Sequence, residues 1–361
     1  MRAYILTVSG RALVFKAGQG AFEDIRKHGF SAEQIGTIVG ASGGAKWLVL
    51  SQLDRVILER IVPAIPGPLH LLGSSIGAWR FSCYAQDDPV AAISRFEQVY
   101  VEQRYSEKPD EQEISESGRT TLDLILGDTG AEDIVNHPQF RTHIMAVKSR
   151  LITASDNRYL LGTGLIGAIT ANLLHRRMLG AFFSRALFTD PRDKPPFYDV
   201  TGFPIHRIEL TQDNLRDAII ASGSIPMVMQ GVRDIKGAPP GTYRDGGIID
   251  YHLDMPTADN DRISLFLHFF DWLKPGWFDR QLPWRNVNPR NLDRTVLICP
   301  SPEFIAGLPD GKVPDRTDFV RMPEERRIHL WREVIKACEQ LAEEFNDVLD
   351  HNQLPTRLQP L

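Results

Sequence analysis

The sequence predicts an α/β fold, with a mainly parallel central sheet, helices on both faces and a long carboxyl-terminal helix. The main reason is a strand–loop–helix pattern that occurs twice. The β-rich run 35–39 leads into a Gly- and Ser-containing loop and then into helical periodicity over 47–57. The run 69–72 leads into a second such loop and a predicted helix over 78–85. Loops that follow parallel strands meet at the carboxyl edge of the sheet, so we expect the functional site there.

The other elements follow from the same periodicities. Residues 102–118 are acidic and contain Pro and Ser, which is typical of an exposed connector. No internal repeat or domain boundary is visible, so we expect residues 1–361 to form one domain, with a core at about 1–300 and a helical extension at about 320–350. The further predicted elements are strands at 12–16, 143–147 and 296–298 and helices at 20–29 and 324–349.

Two apolar segments have more than one interpretation. Residues 159–174 are nearly uncharged and are followed by His175-Arg176-Arg177, but they are too few for a membrane span. A buried helical hairpin is the favoured interpretation, and a cap over the substrate or a helix lying at a lipid interface are the alternatives. Residues 271–285 contain three tryptophans and a phenylalanine. Such clusters usually pack a loop against the core, with a lipid surface as the alternative.

Composition and charge exclude several classes of protein. The chain of 361 residues is 42% hydrophobic and 24% charged, which indicates neither disorder nor a fibre. Its net charge of −5 lacks the basic excess of nucleic-acid-binding proteins, so no nucleic-acid partner is expected. Cys83, Cys299 and Cys338 lack the spacing of a disulfide framework or zinc site and favour a reducing compartment. The first residues soon meet Ser9-Gly10-Arg11 and form no signal-peptide core, so we expect a cytoplasmic protein.

Three short motifs carry the chemistry. The first is Gly40-Ala41-Ser42-Gly43-Gly44-Ala45-Lys46, the second Gly73-Ser74-Ser75-Ile76-Gly77, and the third Asp245-Gly246-Gly247. Ser42 and Ser75 both satisfy G-x-S-x-G, the sharp turn that presents a serine hydroxyl as a nucleophile. One serine is therefore expected to attack while the other loop supplies backbone N–H groups to the developing oxyanion.

Phosphate binding is the competing use of a Gly-rich loop. A P-loop requires G-x-x-x-x-G-K-[ST], but Ala45 precedes Lys46 and Trp47 follows it. Gly18-Gln19-Gly20 lacks the third glycine of a dinucleotide-binding loop and has Glu23 in its place. The sequence therefore favours neither a nucleotide nor any other organic cofactor, and it implies no metal.

The order of the motifs resembles that of patatin-like phospholipases. Those lipid acyl hydrolases carry an oxyanion loop of the form G-G-G-x-[KR]-G, a G-x-S-x-G turn about 30 residues later and a distant D-G-[GA]. Residues 43–46, 73–77 and 245–247 match these in order, and Ser75 follows Lys46 by 29 positions. Residues 221–226, Ala-Ser-Gly-Ser-Ile-Pro, look like a further motif of the family, and residues 73–80 and 275–285 resemble a bacterial subgroup of it.

The resemblance implies a three-layer α/β fold and a serine–aspartate dyad without histidine. Ser75 would be the nucleophile and Asp245 its base, and the N–H groups of Gly43, Gly44 and Ala45 would form the oxyanion hole. Lys46 would support the loop or lie near a lipid phosphate. An aspartate with an ordinary pKa near 3.9 is a weak base, so its site must raise that pKa. The substrate would be a lipid or another acyl ester, with transient contact at a membrane surface.

Several alternatives stay open at this point. Trp47 stands where the family usually has glycine and could narrow the oxyanion loop, and Ser42 replaces another usual glycine. Ser42 is the rival nucleophile. A histidine triad could use one of three residues, namely His252, His268 or His329. A non-catalytic acyl-binding protein, an acyltransferase and a thioesterase remain alternative functions.

Overall fold

An eleven-stranded mixed sheet runs through the centre of the protein, in a computed structural model that describes residues 11–259 and 261–361. Residues 1–10, on which the signal-peptide argument depends, lie outside the described part. The strands follow the spatial order β11-β1-β10-β9-β2-β3-β4-β5-β6, and β8 pairs with β4 and β7. Their bounds are β1 Leu13–Ala17, β2 Ile35–Gly40, β3 Leu69–Ser74, β4 Phe140–Ser149, β5 Phe183–Thr189, β6 Ile205–Glu209, β7 Val232–Arg233, β8 Thr242–Asp245, β9 Ile263–Leu267, β10 Thr295–Pro300 and β11 Leu358–Pro360.

Helices connect and cover these strands. The α-helices are α1 Gln19–His28, α2 Ser51–Val56, α3 Ile76–Tyr84, α4 Pro89–Val101, α5 Glu111–Leu126, α6 Gly130–Asn136, α7 Arg158–Leu174, α8 Gln212–Gly223, α9 Pro302–Gly307, α10 Asp318–Arg321, α11 Glu324–Ala337, α12 Glu339–Asp350 and α13 Leu354–Arg357. Short 3₁₀ turns that bear on the site span Gly44–Leu50, Leu151–Ala154, Arg176–Ala181, Gly246–Ile248 and Trp277–Asp279.

The predicted α/β class is confirmed. The five neighbouring strands β10, β9, β2, β3 and β4 are all parallel. Every residue of β2, β9 and β10 is buried, as expected for parallel strands with both faces covered. The Gly/Ser loops after β2 and β3 leave the sheet at one level, because Gly40 pairs with Gly73.

The connector predicted at 102–118 is wrong over its second half. Helix α5 begins at Glu111, and the side chain of Asp110 accepts a hydrogen bond from the N–H of Glu113 at 2.8 Å. The early buried positions of α5 are Ser115 and Gly118, which are small and not apolar. For this reason its first turns show no hydrophobic periodicity in the sequence.

The carboxyl-terminal helix is present, but it is divided in two. Helices α11 and α12 meet at Cys338, whose N–H donates to the carbonyls of Val334 at 3.0 Å and Ile335 at 3.2 Å. The chain then returns to the sheet, where β11 pairs in parallel with β1. The carboxyl-terminal residues therefore take part in the sheet, and the assignment of one domain stays a prediction.

The buried hairpin predicted over 159–174 is wrong. The segment forms one helix, α7, and several of its large apolar side chains are exposed, with Tyr159 at 87% and Leu174 at 74%. The aromatic segment 271–285 packs only in part, since Trp284 is 67% exposed. In the described part of the chain, no helix combines the length and apolar character needed to cross a bilayer.

Candidate active site

Strand register brings the two most distant motifs together. Ser74, the last residue of β3, pairs with Met145 of the parallel neighbour β4. The next residue of β4, Ala146, pairs with Asp245 at the end of the antiparallel strand β8. Ser75 and Asp245 therefore leave the sheet side by side, although 170 positions separate them.

Ser75 occupies the strained turn that its motif predicts. Its backbone has φ 53° and ψ −124°, a left-handed conformation that is uncommon for a residue with a side chain. The flanking glycines permit close packing around it. A Cβ on Gly77 would lie 2.0 Å from the carbonyl oxygen of Gly40, and one on Gly73 would lie 2.5 Å from the nitrogen of Ala78. No other residue fits these two positions without moving the backbone.

A second serine holds the Ser75 backbone. The N–H of Ser75 donates to Oγ of Ser222 at 2.8 Å, and Ser222 in turn donates to the carbonyl of Met145 at 2.7 Å. Ser222 lies near the end of α8, in the Ala-Ser-Gly-Ser-Ile-Pro segment singled out by the sequence, although no role was predicted for it. Through these two bonds, Ser222 connects the backbone of Ser75 to β4 and holds the turn.

The side chains of the predicted dyad, Ser75 and Asp245, are in direct contact. Ser75 Oγ lies 2.7 Å from Asp245 Oδ2, and Asp245 Oδ1 accepts a hydrogen bond of 2.7 Å from the N–H of Gly247. Burial raises the pKa of Asp245 to about 6, and the hydrogen bonds from Ser75 and Gly247 and the charge of Arg316 only partly oppose it. A carboxylate with that pKa is ionised at pH 7 and is a much stronger base than an exposed aspartate.

The first Gly/Ser loop lies beside this dyad. Gly44 has φ +58°, and a Cβ on Gly43 would lie 2.5 Å from the ring of Phe269, so the loop needs both glycines. Gly247, next to the dyad aspartate, lies against Ser42, since a Cβ there would be 2.7 Å from Ser42 Oγ. The N–H groups of Gly43, Gly44 and Ala45 have no acceptor among the described residues. They are therefore available to a negatively charged oxygen.

Lys46 is held at the base of this loop. Its ammonium pairs with the carboxylate of Asp315 and lies 3.5 Å from the carbonyl oxygen of Gly43. Burial lowers the pKa of Lys46. Burial also acts to raise the pKa of Asp315, but the charge and hydrogen bond of Lys46 outweigh it and bring that pKa to about 2. These contacts are those of a residue that supports the loop, and the role stays a prediction.

Two arginines near the loop lack an acidic partner. Neither Arg280 nor Arg316 has a carboxylate within 4.0 Å in the described part of the chain, and both are half-buried. Arg280 lies 5.5 Å from the ring centre of Tyr251, and a Cβ on Gly44 would lie 4.0 Å from Cβ of Arg316. The sequence predicted no role for either residue, although Arg280 lies within the 275–285 stretch that resembles the bacterial subgroup.

Ser42, the rival nucleophile, lies close to Asp245 but contacts no carboxylate or imidazole among residues 11–259 and 261–361. Its hydroxyl donates to Oγ of Ser74 at 3.0 Å, and its N–H donates to the carbonyl of Tyr251 at 2.9 Å. Without a carboxylate or imidazole, its proton has no acceptor of sufficient basicity.

The three histidines considered for a triad also lie elsewhere. His252 Nδ1 accepts from the N–H of Lys274 at 2.9 Å, and His268 Nδ1 lies 2.7 Å from the carbonyl oxygen of Phe270. Burial lowers the pKa of both His252 and His268, so both are neutral at pH 7. His329 is 76% exposed and pairs with Glu333 on its own helix. None of the three has a hydrogen bond to Ser75 or Asp245 within residues 11–259 and 261–361.

The side chain of Trp47 packs in the hydrophobic core. Its ring is 1% exposed, stacks on Phe96 of α4 with centroids 4.2 Å apart and meets Tyr100 edge-on at 5.9 Å. Its bulk therefore fills the space between the 3₁₀ turn 44–50 and α4. For metal binding, residues 11–259 and 261–361 bring together no group of three or more His, Cys, Asp or Glu side chains.

Comparison with known proteins agrees with the motifs. The structure of the VipD protein from Legionella pneumophila is a neighbour with 13% identity and a TM-score of 0.32, values too low to support an argument. It covers 75% of this chain, whereas this chain spans only 56% of the length of that one. No curated protein matches the sequence. The sequence model described as patatin-like phospholipase matches residues 56–253, more than half of the chain, including the Ser75 turn, the 221–226 segment and Asp245. The chain therefore belongs to the patatin-like phospholipase family.

Proposed function

We propose that the protein is a serine esterase that hydrolyses a lipid or another acyl ester through an acyl-enzyme at Ser75. Its family is one of lipid acyl hydrolases. The observation that carries the proposal is the 2.7 Å contact between Ser75 Oγ, held at φ 53°, and a buried Asp245. Such a pair provides a nucleophile and an adjacent base without a histidine.

The first half of the reaction forms the acyl-enzyme. Asp245 Oδ2 takes the proton from Ser75 Oγ while that oxygen attacks the ester carbonyl carbon. The carbonyl oxygen becomes an anion, which the free N–H groups of Gly43, Gly44 and Ala45 stabilise. Each such donor is typically worth about 100- to 1,000-fold in rate. When the intermediate collapses, the C–O bond to the alcohol breaks and Asp245 returns the proton to the leaving oxygen.

The second half regenerates the enzyme. A water molecule loses its proton to Asp245 and attacks the acyl carbon, the oxyanion forms again in the same place, and Ser75 leaves with the proton. The raised pKa of Asp245, about 6, suits both roles, because the group must accept and return a proton near neutral pH. No cofactor takes part in this scheme.

We propose further that the substrate carries an anionic head group, as a phospholipid does. The support is electrostatic. Arg280 and Arg316 are close enough to lower the pKa of Lys46, and no carboxylate of the described residues neutralises them. Guanidinium groups bind phosphate with two parallel hydrogen bonds.

We propose that the enzyme acts in the cytoplasm, with transient contact at membranes. The three cysteines are buried and unpaired, which fits a reducing compartment.

Two variants test the dyad. We expect Ser75→Ala and Asp245→Ala each to abolish hydrolysis of a short p-nitrophenyl ester, while Ser42→Ala retains it. Labelling with a fluorophosphonate followed by peptide mapping should place the label on Ser75. Label on Ser42, or near wild-type rates in either dyad variant, would refute the assignment. An unlabelled protein that retains lipid in native mass spectrometry would instead be a binding protein. Transfer of the acyl group to an added alcohol would indicate an acyltransferase, and hydrolysis of an added thioester would indicate a thioesterase.

A further inference from the structure

Exposed apolar side chains are concentrated around one helix. Of fourteen large hydrophobic residues that are exposed in the described part of the chain, nine lie between residues 151 and 178. Three of these belong to the turns on either side of α7. The other six lie on the helix itself, namely Tyr159, Leu160, Ile166, Ile169, Leu173 and Leu174. Scattered apolar residues are normal on a protein surface, but a contiguous group marks an interaction site.

The amphipathicity of α7 is the reverse of that of an ordinary surface helix. Its inward face carries mainly small residues, such as Gly164, where a Cβ would lie 2.8 Å from a methyl carbon of Thr153. Its outward face carries the large ones. The two threonines on that face hide their hydroxyls, because Thr163 donates to the carbonyl of Tyr159 at 2.8 Å and Thr170 to that of Ile166 at 3.0 Å. The outward face therefore presents few polar groups that need hydrogen bonds from water.

The rim of this face is basic, although the whole chain has a net charge of −5. Residues 150–178 contain four arginines and a single carboxylate, Asp156, and two of the arginines, Arg158 and Arg176, pair with Glu111 and Asp279 of other segments. Arg150 and Arg177 are exposed and have no acidic partner within 4.0 Å among the described residues. An apolar face with a basic rim is the pattern of helices that lie in the headgroup region of an anionic bilayer.

Helix α7 and the turn after it also contact the segment that follows Asp245. Ile248 and Ile249, three and four residues after Asp245, share a hydrophobic cluster with Ala168 of α7. The guanidinium of Arg176 donates to the carbonyl of Ile249 at 2.6 Å. A surface that rests on α7 would thus lie against the segment that carries the catalytic base.

We propose that α7, its two flanking turns and the preceding Arg150, residues 150–181, form a docking face for an anionic phospholipid bilayer. The helix lies along the interface, its apolar side chains enter the acyl boundary, and Arg150 and Arg177 meet lipid phosphates. A second copy of the chain fits less well, since a two-fold interface would oppose the same basic rims. The inference rests on the proposed lipid hydrolysis for its purpose, but vesicle binding can be measured without turnover.

The test is sedimentation with vesicles, using the full chain with Ser75→Ala so that no lipid is consumed. We expect binding to mixed phosphatidylcholine–phosphatidylglycerol vesicles and much weaker binding to phosphatidylcholine alone. The double substitution Ile166→Glu and Leu174→Glu, at positions that are 67% and 74% exposed, should reduce binding by about 10- to 100-fold because apolar burial is lost. The matched control is Leu124→Glu with Val320→Glu, which removes two exposed apolar side chains elsewhere and should bind as the parent does.

Each outcome is decisive. Equal loss in the control pair, unchanged binding of the Ile166→Glu and Leu174→Glu variant, or no binding by the parent would overturn the docking face. A parent protein that forms a dimer, and that the Ile166→Glu and Leu174→Glu variant converts to monomer, would also overturn it. Hydrolysis of a soluble ester, measured with the same substitutions in a Ser75-containing chain, should stay within about 2-fold of wild type, because surface changes rarely alter the fold. If vesicles bind but no ester is cleaved, the proposed chemistry fails and the docking face stands.

Discussion

Replacement of Asp245 by asparagine should abolish activity and at the same time stabilise the protein. Asparagine has nearly the same shape, and its carbonyl oxygen can still accept the hydrogen bond from Gly247. It cannot take the proton of Ser75, so we expect kcat/KM for a p-nitrophenyl ester to fall by at least about 100- to 10,000-fold. The stability gain follows from the cost of keeping a charge on a side chain that is only 7% exposed.

The size of that gain follows from the pKa shift. Burial raises the pKa of Asp245 from 3.8 to about 6. A rise of about 2 pKa units corresponds to about 3 kcal/mol by which the ionised group destabilises the folded state. Between pH 4 and 6 the folded protein retains a proton that the unfolded chain has lost, so its contribution to stability falls as pH rises and levels off above pH 6. The Asp245→Asn variant carries no such charge and avoids the loss.

Urea unfolding of both proteins across this pH range tests the reasoning. We expect the asparagine variant to exceed the wild type in unfolding free energy by up to about 3 kcal/mol at pH 7, and the difference to shrink towards zero near pH 4. The activity of the wild type should rise with pH, reach half its maximum near pH 6 and approach a plateau above about pH 7, as Asp245 becomes ionised. A variant that is less stable at pH 7, or a pH-independent difference, would refute the idea that Asp245 is a strained, ionised base.

Four further substitutions probe the residues around the dyad. Ser222→Ala removes the 2.8 Å hydrogen bond to the Ser75 N–H, and we expect kcat to drop by about 10-fold with an unchanged pH midpoint, which a shifted midpoint would contradict. Gly43→Ala brings a Cβ within 2.5 Å of Phe269, so displacement of the oxyanion loop should cost about 100-fold or more in kcat, and a near-normal rate would argue against this loop. Arg316→Gln, assayed at about pH 8 so that Asp245 stays ionised without the opposing charge of Arg316, should lower kcat/KM for an anionic phospholipid by about 10-fold and leave a neutral p-nitrophenyl ester nearly unaffected, whereas equal losses would point to a structural role. Trp47→Phe keeps an aromatic ring stacked on Phe96, so thermal melting should show that the free energy of unfolding falls by about 1–2 kcal/mol while activity is retained. A large gain in rate would mean that the indole does restrict the oxyanion loop.

Many of the helices and strands could be predicted from the local pattern of apolar and polar residues in the sequence. Strands buried on both faces have continuous apolar runs, so the predictions at 35–39 and 69–72 agree with β2 and β3 to within one or two residues. Helix α5 escaped prediction because its buried face begins with serine and glycine. The error at α7 has another cause. A uniformly apolar sequence shows that a helix forms, but it does not show which side of the helix is covered.

The functional site was also predictable from the sequence only in part. The motifs alone marked Ser75, Asp245 and the loop 43–46 as candidates, because each needs glycines at set positions for steric reasons that are local to the chain. The G-x-S-x-G pattern alone fits both Ser75 and Ser42, and it was the spacing of 29 positions from Lys46, read through the family resemblance, that favoured Ser75. The separation depends on which hydroxyl meets the carboxylate, and that depends on the register of β3, β4 and β8.

The sequence by itself thus determined the class of fold, the family and the short list of reactive groups, since these follow from periodicity and from glycine sterics within a few residues. Only the tertiary structure decided the contact between Ser75 and Asp245, the burial that raises the pKa of that aspartate, and the outward orientation of the large side chains of α7. Those properties arise between segments far apart in the chain, where burial and distance are set by packing and not by any local residue pattern.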